Sequence, residues 1–556
     1  MSGAIVPLST VSKRRMHIPM SSEIFLEVES KFAVDDTTAV PDLMQLTAAE
    51  SLADPVERNL SAIYYDTPDL RLTLAKITLR RRTGGNDDGW HIKLPGDIGR
   101  TELHAPLGDA TTPPEELLEA VRAIARNEAL APIARVDNTR TETLILGADG
   151  EVIAEFCDDR VTAQSFLPGG QEKSWREWEV ELSPAVHERL DGAALLHEAT
   201  SLLLNQGARV AESPSKLTTA LGDSVNQAPL PPHMDTTALE QFASDSPVRV
   251  VMDALRTQRN KLVVNDPKVR ADEPDSVHQM RVATRELRSL LATFEGILNA
   301  DQVRPLEAEL KLLADLLGVA RDAEVVEDRL VTQLDADTSG MIDDIAATRI
   351  RDTMRRKYER AHKRIVKALS SPRYLQLLDD LDATLASPPL TAGIVHEAEG
   401  TEEAAVAPAD VLFEHLSEAY SKVLTRFEQA EQFQAGAGKE PLTWQDRADA
   451  LHDVRKAVKK LRYCAVAAEA SELDTKKLIK ACAKAQDVLG EYQDSVATRQ
   501  RLEKFTARAR RHGEDTFTYG MLYQHEIERG DKALKKYPKA LAKVQKAFKK
   551  SGQRDD

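Results

Sequence analysis

The chain reads as an α+β protein of several domains, a strand-rich N-terminal half followed by an all-α C-terminal half. Three observations predict this. Between about residues 23 and 221, apolar residues alternate with period two in short runs separated by turn clusters. From about Pro247 the period changes to 3.6. Within that helical half, one spaced pattern of basic residues occurs twice. At 556 residues the chain exceeds what one core organises, and two to four domains are the natural division.

The strand-like runs fall at 24–33, 61–66, 76–83, 89–95, 100–104, 139–146, 151–158 and 175–183, with a helix at 114–128. Gly84, Gly85, Asn86, Asp87, Asp88 and Gly89 form a turn cluster between two alternating runs, which predicts a hairpin. Several short alternating strands point to a barrel or a sandwich. Residues 223–243, with Pro229, Pro231 and Pro232, read as a linker. Amphipathic helices follow at 247–264, 276–299, 303–319, 323–336, 343–369, 372–386, 408–432, 446–470, 474–490 and 494–511, with more beyond. The resulting division is an N-terminal extension (1–22), a strand domain (23–222), the linker, and a helical domain (244–551) with repeats at about 247–386 and 408–551.

Composition excludes several classes. A chain 42% hydrophobic and 29% charged is globular. A net charge of -16 and only 5% aromatic residues argue against a nucleic-acid binder that uses its whole surface or a base-stacking platform. Cys157, Cys464 and Cys482 lie far from any metal-ligand spacing and fit a reducing compartment. No apolar stretch is long enough for a membrane span, and no apolar segment follows Lys13, Arg14 and Arg15. A cytoplasmic protein without a secretory leader is expected, with Met16 and Met20 as further candidate starts.

The chemistry is carried by charged strand faces. In Glu27-Val28-Glu29-Ser30-Lys31 the alternation of a strand sends Glu27, Glu29 and Lys31 the same way. Arg80 and Arg82 share a face of the next basic run, and Lys93 is flanked by apolar residues. Arg140 lies in another strand, and Asp158 and Asp159 follow Cys157. Glu177, Glu179 and Glu181 share one face, opposite Trp178, Val180 and Leu182, and Lys216 follows further on. Any one run is half of an ordinary amphipathic strand. Together, acidic and basic faces segregated by strand suit a barrel interior that holds a polyphosphate with a divalent cation. Arginine and lysine neutralise the phosphates, and Mg²⁺ or Mn²⁺ lets carboxylates face the same anion.

These residues, with Tyr64-Tyr65-Asp66-Thr67-Pro68, resemble the CYTH superfamily of triphosphate tunnel metalloenzymes over about residues 23–221. The resemblance implies an eight-stranded antiparallel tunnel. It implies phosphate binding by Lys31, Arg80, Arg82, Lys93, Arg140 and Lys216, and metal binding by Glu27, Glu29, Asp158, Glu179 and Glu181. Asp159 is an alternative to Asp158, and Glu177 to one of the later glutamates. The implied catalytic set is Glu27, Glu29, Lys31, Arg80, Arg82 and Lys93.

In the helical half, His278, Arg281, Arg285 and Arg288 have the same spacing as His452, Arg455, Lys459 and Arg462, and each set lies along one helix face. About 40 residues later come Leu317-Gly318 with Asp322 and Leu489-Gly490 with Asp494. Four basic or titratable groups on one face repel one another unless an anion is present. This half resembles the CHAD domain over about 247–550, with Glu286 departing from the usual basic residue. The resemblance implies two pseudo-symmetric four-helix bundles whose basic groove, lined by those eight residues, binds inorganic polyphosphate. Arg355, Arg356, Lys357, Arg360, Lys363 and Arg364 circle their helix and read as mostly solvated, and the tail from Lys532 to Lys550 is a weaker candidate.

The expectation is a metal-dependent triphosphatase that converts inorganic triphosphate to diphosphate and phosphate, with polyphosphate as a further partner. No obligate protein partner is expected, and polyphosphate granules are one place to find the protein. An adenylyl cyclase or a thiamine triphosphatase on the same fold would need an organic-group pocket that the sequence does not display. A non-catalytic polyphosphate binder would have no use for the carboxylates.

Overall fold

The computed structural model describes residues 23–95, 100–148, 150–187, 190–213, 215–244, 246–294, 297–391, 408–434, 444–469 and 473–551. The chain forms two compact units, one ending at Pro231 and the other beginning at Pro232.

The N-terminal unit is built on one antiparallel sheet. Its strands are β1 (Glu23–Glu27), β2 (Glu29–Val34), β3 (Ser51–Leu52), β4 (Val56–Asp66), β5 (Thr78–Thr83), β6 (Gly89–Pro95), β7 (Arg100–Ala105), β8 (Ala131–Leu146), β9 (Val152–Ser165), β10 (Glu172–Leu182) and β11 (Arg209–Val210). The hydrogen-bonded order is β1-β7-β6-β5-β4-β8-β9-β10-β2-β11, with β3 paired to β8. The expected closed, eight-stranded tunnel is corrected: among the described residues eleven strands are present and the hydrogen-bonded path is open. The count rises because β3 and β11 are two residues long, too short to show alternation, and because the first run is interrupted at Val28. That run still serves two neighbours, β1 pairing with β7 and β2 with β10. At the interruption, the Leu182 amide donates to the Val28 carbonyl at 3.0 Å.

One sheet face is apolar over β2, β9 and β10. Phe32, Val34, Phe156, Trp178 and Val180 pack with Leu195, Ala199 and Leu203 of a helix, Leu190–Asn205. Phe156 meets Trp178 edge-on at 5.8 Å, a geometry worth about 0.5–1.5 kcal/mol beyond burial. On the opposite face, Tyr64, Val136, Val161 and Ala163 pack with Leu217, Ala220 and Leu221 of α1 (Lys216–Leu221). Ser215 caps α1, its hydroxyl accepting from the Thr218 amide, which fixes Lys216 as the first helical residue.

Among its described residues the second unit has nine long helices. They are α2 (Pro247–Arg270), α3 (Ser276–Thr293), α4 (Ala300–Ala336), α5 (Asp344–Leu369), α6 (Pro372–Ala386), α7 (Pro408–Gln434), α8 (Trp444–Ala468), α9 (Lys476–Arg511) and α10 (Phe517–Ser551). Ser246 before Pro247 and Ser371 before Pro372 supply side-chain caps followed by proline at the first helical position. The expected breaks near 320 and 492 are absent. Neither Ala320-Arg321-Asp322 nor Glu491-Tyr492-Gln493 contains a glycine or proline, so α4 and α9 run on. The second repeat supplies four helices, α7–α10, whereas the first carries α6 in addition to its four.

Candidate functional site

Directly opposed residues of an antiparallel ladder project to the same face. Following the pairing across the sheet, Glu181 opposes Glu29 and Glu179 opposes Lys31. Glu177 opposes Asp159, Glu179 opposes Cys157, and Glu181 opposes Glu155. Arg140 opposes Asp159 and Arg58. Tyr64 opposes Arg80, Arg80 opposes His91, Thr78 opposes Lys93, and Lys93 opposes Glu102. The charges read from separate strands therefore share one sheet face, the face against which α1 packs its apolar side.

At the centre, Asp159, Glu177 and Glu179 are buried, and they offer carboxylate oxygens within 4.8 Å of one another. Three cations close around them. Lys216 Nζ lies 2.8 Å from Asp159 Oδ2, 2.6 Å from Glu177 Oε1 and 2.8 Å from Glu179 Oε1. Arg140 forks onto Asp159 at 2.8 and 2.7 Å and also meets Glu179. Lys31 pairs with Glu179 and reaches Glu29 Oε2 at 2.9 Å. Burial alone would push the Glu179 carboxyl up, but Lys216, Lys31 and Arg140 hold it well below the usual range. Asp159 is likewise held down, Lys216 and Arg140 outweighing its burial. Burial pulls Lys31 and Lys216 down, and the carboxylates beside them more than restore both.

This donor set fits a small hard cation. Mg²⁺ and Mn²⁺ favour oxygen ligands, and an octahedron with ligands about 2.1 Å from the metal spaces its oxygens roughly 3–4 Å apart. Asp159, Glu177 and Glu179 approach that spacing.

The opposite strands carry the second basic group. Arg80 Nη2 and Lys93 Nζ approach the two oxygens of Glu102 at 3.6 and 3.5 Å, and His91 Nδ1 shares Glu102 Oε1 at 2.7 Å. Arg82 pairs with Asp87 in the hairpin turn. Burial, and after it Arg80, pulls the Arg82 guanidinium below the ordinary arginine value. Burial lowers His91 to about 4, so its ring is neutral near pH 7.

Of the residues singled out from sequence, Lys31, Arg140, Lys216 and Glu179 come together directly, with Glu29 beside Lys31. Arg80 and Lys93 converge on Glu102, and Glu181 lies in register with Glu29. The Glu27 side chain lies outside the described residues. Asp158 is not brought to the cluster. It faces the apolar side, where Arg176 forks onto it at 2.8 and 2.7 Å and Trp178 Nε1 donates to it at 3.1 Å. The alternatives Asp159 and Glu177 occupy the cluster instead. Sequence reading missed Glu102 and His91, although His91 has the same strand parity as Lys93.

In the helical unit, the duplicated faces of α3 and α8 meet. Burial, and after it Arg285, Arg455, Arg281 and Arg462, lower the Lys459 ammonium to about 6. Arg455 and Arg285 are lowered too, burial again leading. The buried Nε atoms of Arg281, Arg455 and Arg462 and Nδ1 of His452 have no hydrogen-bond partner. Arg288 is tied to Glu307 at 3.2 Å, and Arg281 reaches Asp322 at 3.4 Å. His278 is lowered by burial and then by Arg321.

The glycines of the repeat now have a reason. A Cβ on Gly318 would stand 3.4 Å from Arg281 Nη2, and one on Gly490 would stand 3.2 Å from Arg455 Nη2. Each arginine lies flat over the bare backbone of the neighbouring helix. Tyr463, which sequence reading passed over, sits among these groups, and burial with Glu286 raises its hydroxyl to about 12.

Comparison with known proteins agrees with this layout. The CYTH domain model matches residues 26–211 and the CHAD domain model matches residues 253–503. The uncharacterized protein Rv2226 of Mycobacterium tuberculosis (strain ATCC 25618 / H37Rv) is 38% identical over 543 residues, covering 95% of this chain and 98% of its own. Among solved structures, PptA from Streptomyces chartreusis is 18% identical with a TM-score of 0.41, covering 53% of this chain and 99% of its own. The CHAD domain from the plant Ricinus communis is 21% identical with a TM-score of 0.39, covering 58% and 97%. At these scores the solved structures add nothing to the assignment, which rests on the domain models and the mycobacterial relative.

Proposed function

The chain belongs to the CYTH–CHAD family, and we propose that it is a divalent-metal-dependent triphosphatase that hydrolyses inorganic triphosphate and carries a module that binds inorganic polyphosphate. A CYTH domain joined to a CHAD domain fits a role with triphosphate or polyphosphate. The observation that carries the finer reading is the mixed-sign cluster of Asp159, Glu177 and Glu179 with Lys31, Arg140 and Lys216 on one sheet face. A site for an anion alone has no use for three buried carboxylates at that spacing.

Asp159, Glu177 and Glu179, with Glu29 beside them, are the residues that would hold the metal. When bound, it neutralises charge developing on the transferring phosphoryl group. Lys31, Arg140 and Lys216 then bind phosphate oxygens, exchanging carboxylate partners for phosphate ones. Arg80, Arg82 and Lys93 hold the far end of a triphosphate, with Glu102 keeping Arg80 and Lys93 in place. A carboxylate of the cluster orients the attacking water for in-line displacement, and positioning with electrostatic stabilisation supplies most of the rate. Elsewhere, the meeting faces of α3 and α8 hold five arginines and Lys459, several of the arginines with unpaired buried donors, and polyphosphate satisfies both the charge and those donors.

The test is phosphate release by the purified full chain with Mg²⁺ or Mn²⁺ against triphosphate, ATP, thiamine triphosphate and long-chain polyphosphate. Strong preference for triphosphate supports the proposal, and no turnover of any substrate removes the enzymatic half. Separately, absence of polyphosphate binding by the same preparation removes the binding half.

A further inference from the structure

Away from the meeting faces of α3 and α8, the hairpin of α9 and α10 carries a cleft of about 360 Å³ lined by Lys477, Lys480 and Lys484 from one helix and Lys543, Lys546 and Lys550 from the other. Ala481 and Ala547 complete the lining. The two triplets have the same i, i+3, i+7 spacing, so each is a straight stripe on its helix, and the stripes face each other across the cleft. Of the six lysines, only Lys477 has a carboxylate partner among the described residues, Asp474 at 3.9 Å.

This cleft is separate from the duplicated groove. Arg462 of the groove donates to Gln486 Oε1 at 3.3 Å, which places Gln486 on the groove side of α9. At about 100° per residue, Lys480 and Lys484 lie about 120–160° around the helix from Gln486, on the far side. The α9 lysines also fall outside the repeat. Aligning Gly490 with Gly318, the α4 positions matching Lys477, Lys480 and Lys484 are Pro305, Ala308 and Leu312. The first bundle therefore keeps the arginines and glycines of the duplication without the α9 lysines.

We infer that the α9–α10 cleft is a second anion site, which takes a linear condensed phosphate chain independently of the groove between α3 and α8. This rests on the reading of the helical unit as a polyphosphate binder. The lining decides the ligand class. Two rows of mobile ammonium groups suit closely and regularly spaced phosphates with no fixed planar geometry, where lysine acts as a point charge. Among the described residues, no aromatic ring lines the cleft to stack a base, and no large apolar side chain lines it to enter a membrane. With a site on each side of α9, one molecule holds two chains, or two stretches of one chain.

The test uses the full-length protein and Lys480→Gln/Lys484→Gln/Lys546→Gln, changes confined to exposed side chains, with Arg281→Ala/Arg455→Ala as the groove variant. Binding of polyphosphate of about 100 units is measured by calorimetry over a salt series. Wild type should bind long chains at two classes of site. The lysine variant should lose one class, with a shallower dependence on log salt by roughly two to three units, and the groove variant should lose the other. A lysine variant with unchanged stoichiometry and salt slope overturns this inference while leaving the groove reading intact. Failure of wild type to bind polyphosphate at all overturns the reading beneath it. A cleft that responds instead to single-stranded DNA or to anionic phospholipid vesicles, with polyphosphate binding unaffected, also overturns it.

Discussion

The sheet-face cluster and the groove between α3 and α8 treat charge in opposite ways. On the sheet face, Lys31, Arg140 and Lys216 each touch buried carboxylates, and the partners hold one another charged: lysines and arginine up, Glu179 and Asp159 down. Between α3 and α8 the cations face other cations, and burial with mutual repulsion pulls Lys459, Arg455 and Arg285 down. The first arrangement carries its own counter-charges, which on the proposed function it would exchange for a metal and a substrate. The second gathers basic groups whose repulsion, on the proposed function, an incoming polyanion would relieve.

The largest expected effect separates the two. Glu179→Gln removes the carboxylate that Lys31, Arg140 and Lys216 share. It should lower turnover of triphosphate by about 10²–10³-fold, the scale for removing one preorganised electrostatic group, while polyphosphate affinity stays at the wild-type value. Phosphate release and calorimetry on one preparation check both halves. Loss of polyphosphate binding in this variant would break the division of labour.

Next in size, Arg281→Ala/Arg455→Ala should weaken polyphosphate binding about tenfold to a hundredfold and leave triphosphate turnover intact. Smaller still, Gly490→Ala should separate binding from folding. Alanine favours a helix interior by up to about 1 kcal/mol over glycine, yet the new Cβ would press on Arg455 Nη2 from 3.2 Å. The expected result is an unchanged or raised melting temperature with polyphosphate affinity down severalfold. Gly318→Ala, with 3.4 Å to Arg281 Nη2, should show less.

The contrast extends to pH. A lysine lowered to about 6 is largely neutral at pH 8, and a bound polyanion raises it again, so binding at pH 8 should take up a proton at Lys459. Calorimetry in buffers of different ionisation enthalpy reads that proton, and Lys459→Met should abolish it. The linkage to folding has a definite sign. Between about pH 6 and the ordinary lysine value of 10.5, the unfolded chain binds more protons at this site than the folded one, so its contribution to stability rises with pH there. Glu179 and Asp159, both depressed, contribute stability that is present above the ordinary carboxylate range and is lost only as pH falls through their lowered values.

Period two alone was enough to place Glu29 with Lys31, and Arg80 with Arg82, on common faces, and the 3.6-residue period found both basic helix faces. What escaped depends on how strands and helices meet. Reading the strand as ending near Asp158 hides that β9 continues to Ser165, with Asp159 sharing the parity of Glu155 and Cys157 while Asp158 shares that of Phe156. Which of Glu177, Glu179 and Glu181 meets Asp159 is fixed by cross-strand register, a long-range property that one strand's sequence does not carry. The glycines at 318 and 490 were visible as a repeated pattern, but their purpose requires the arginine of a second helix. The closed tunnel failed as an expectation because an interruption at one residue, Val28, splits a run that looks continuous in sequence.

The central claim is that the cluster around Asp159 is the catalytic metal centre. Its most direct test compares Asp159→Asn with Asp158→Asn, adjacent residues on opposite sheet faces, in Mg²⁺- or Mn²⁺-dependent phosphate release from triphosphate, with circular dichroism to confirm folding. The account predicts that Asp159→Asn loses at least 100-fold in turnover, the order expected for a core electrostatic group, while folded Asp158→Asn stays within a fewfold of wild type. Equal losses, or a greater loss in Asp158→Asn with the fold intact, would contradict it.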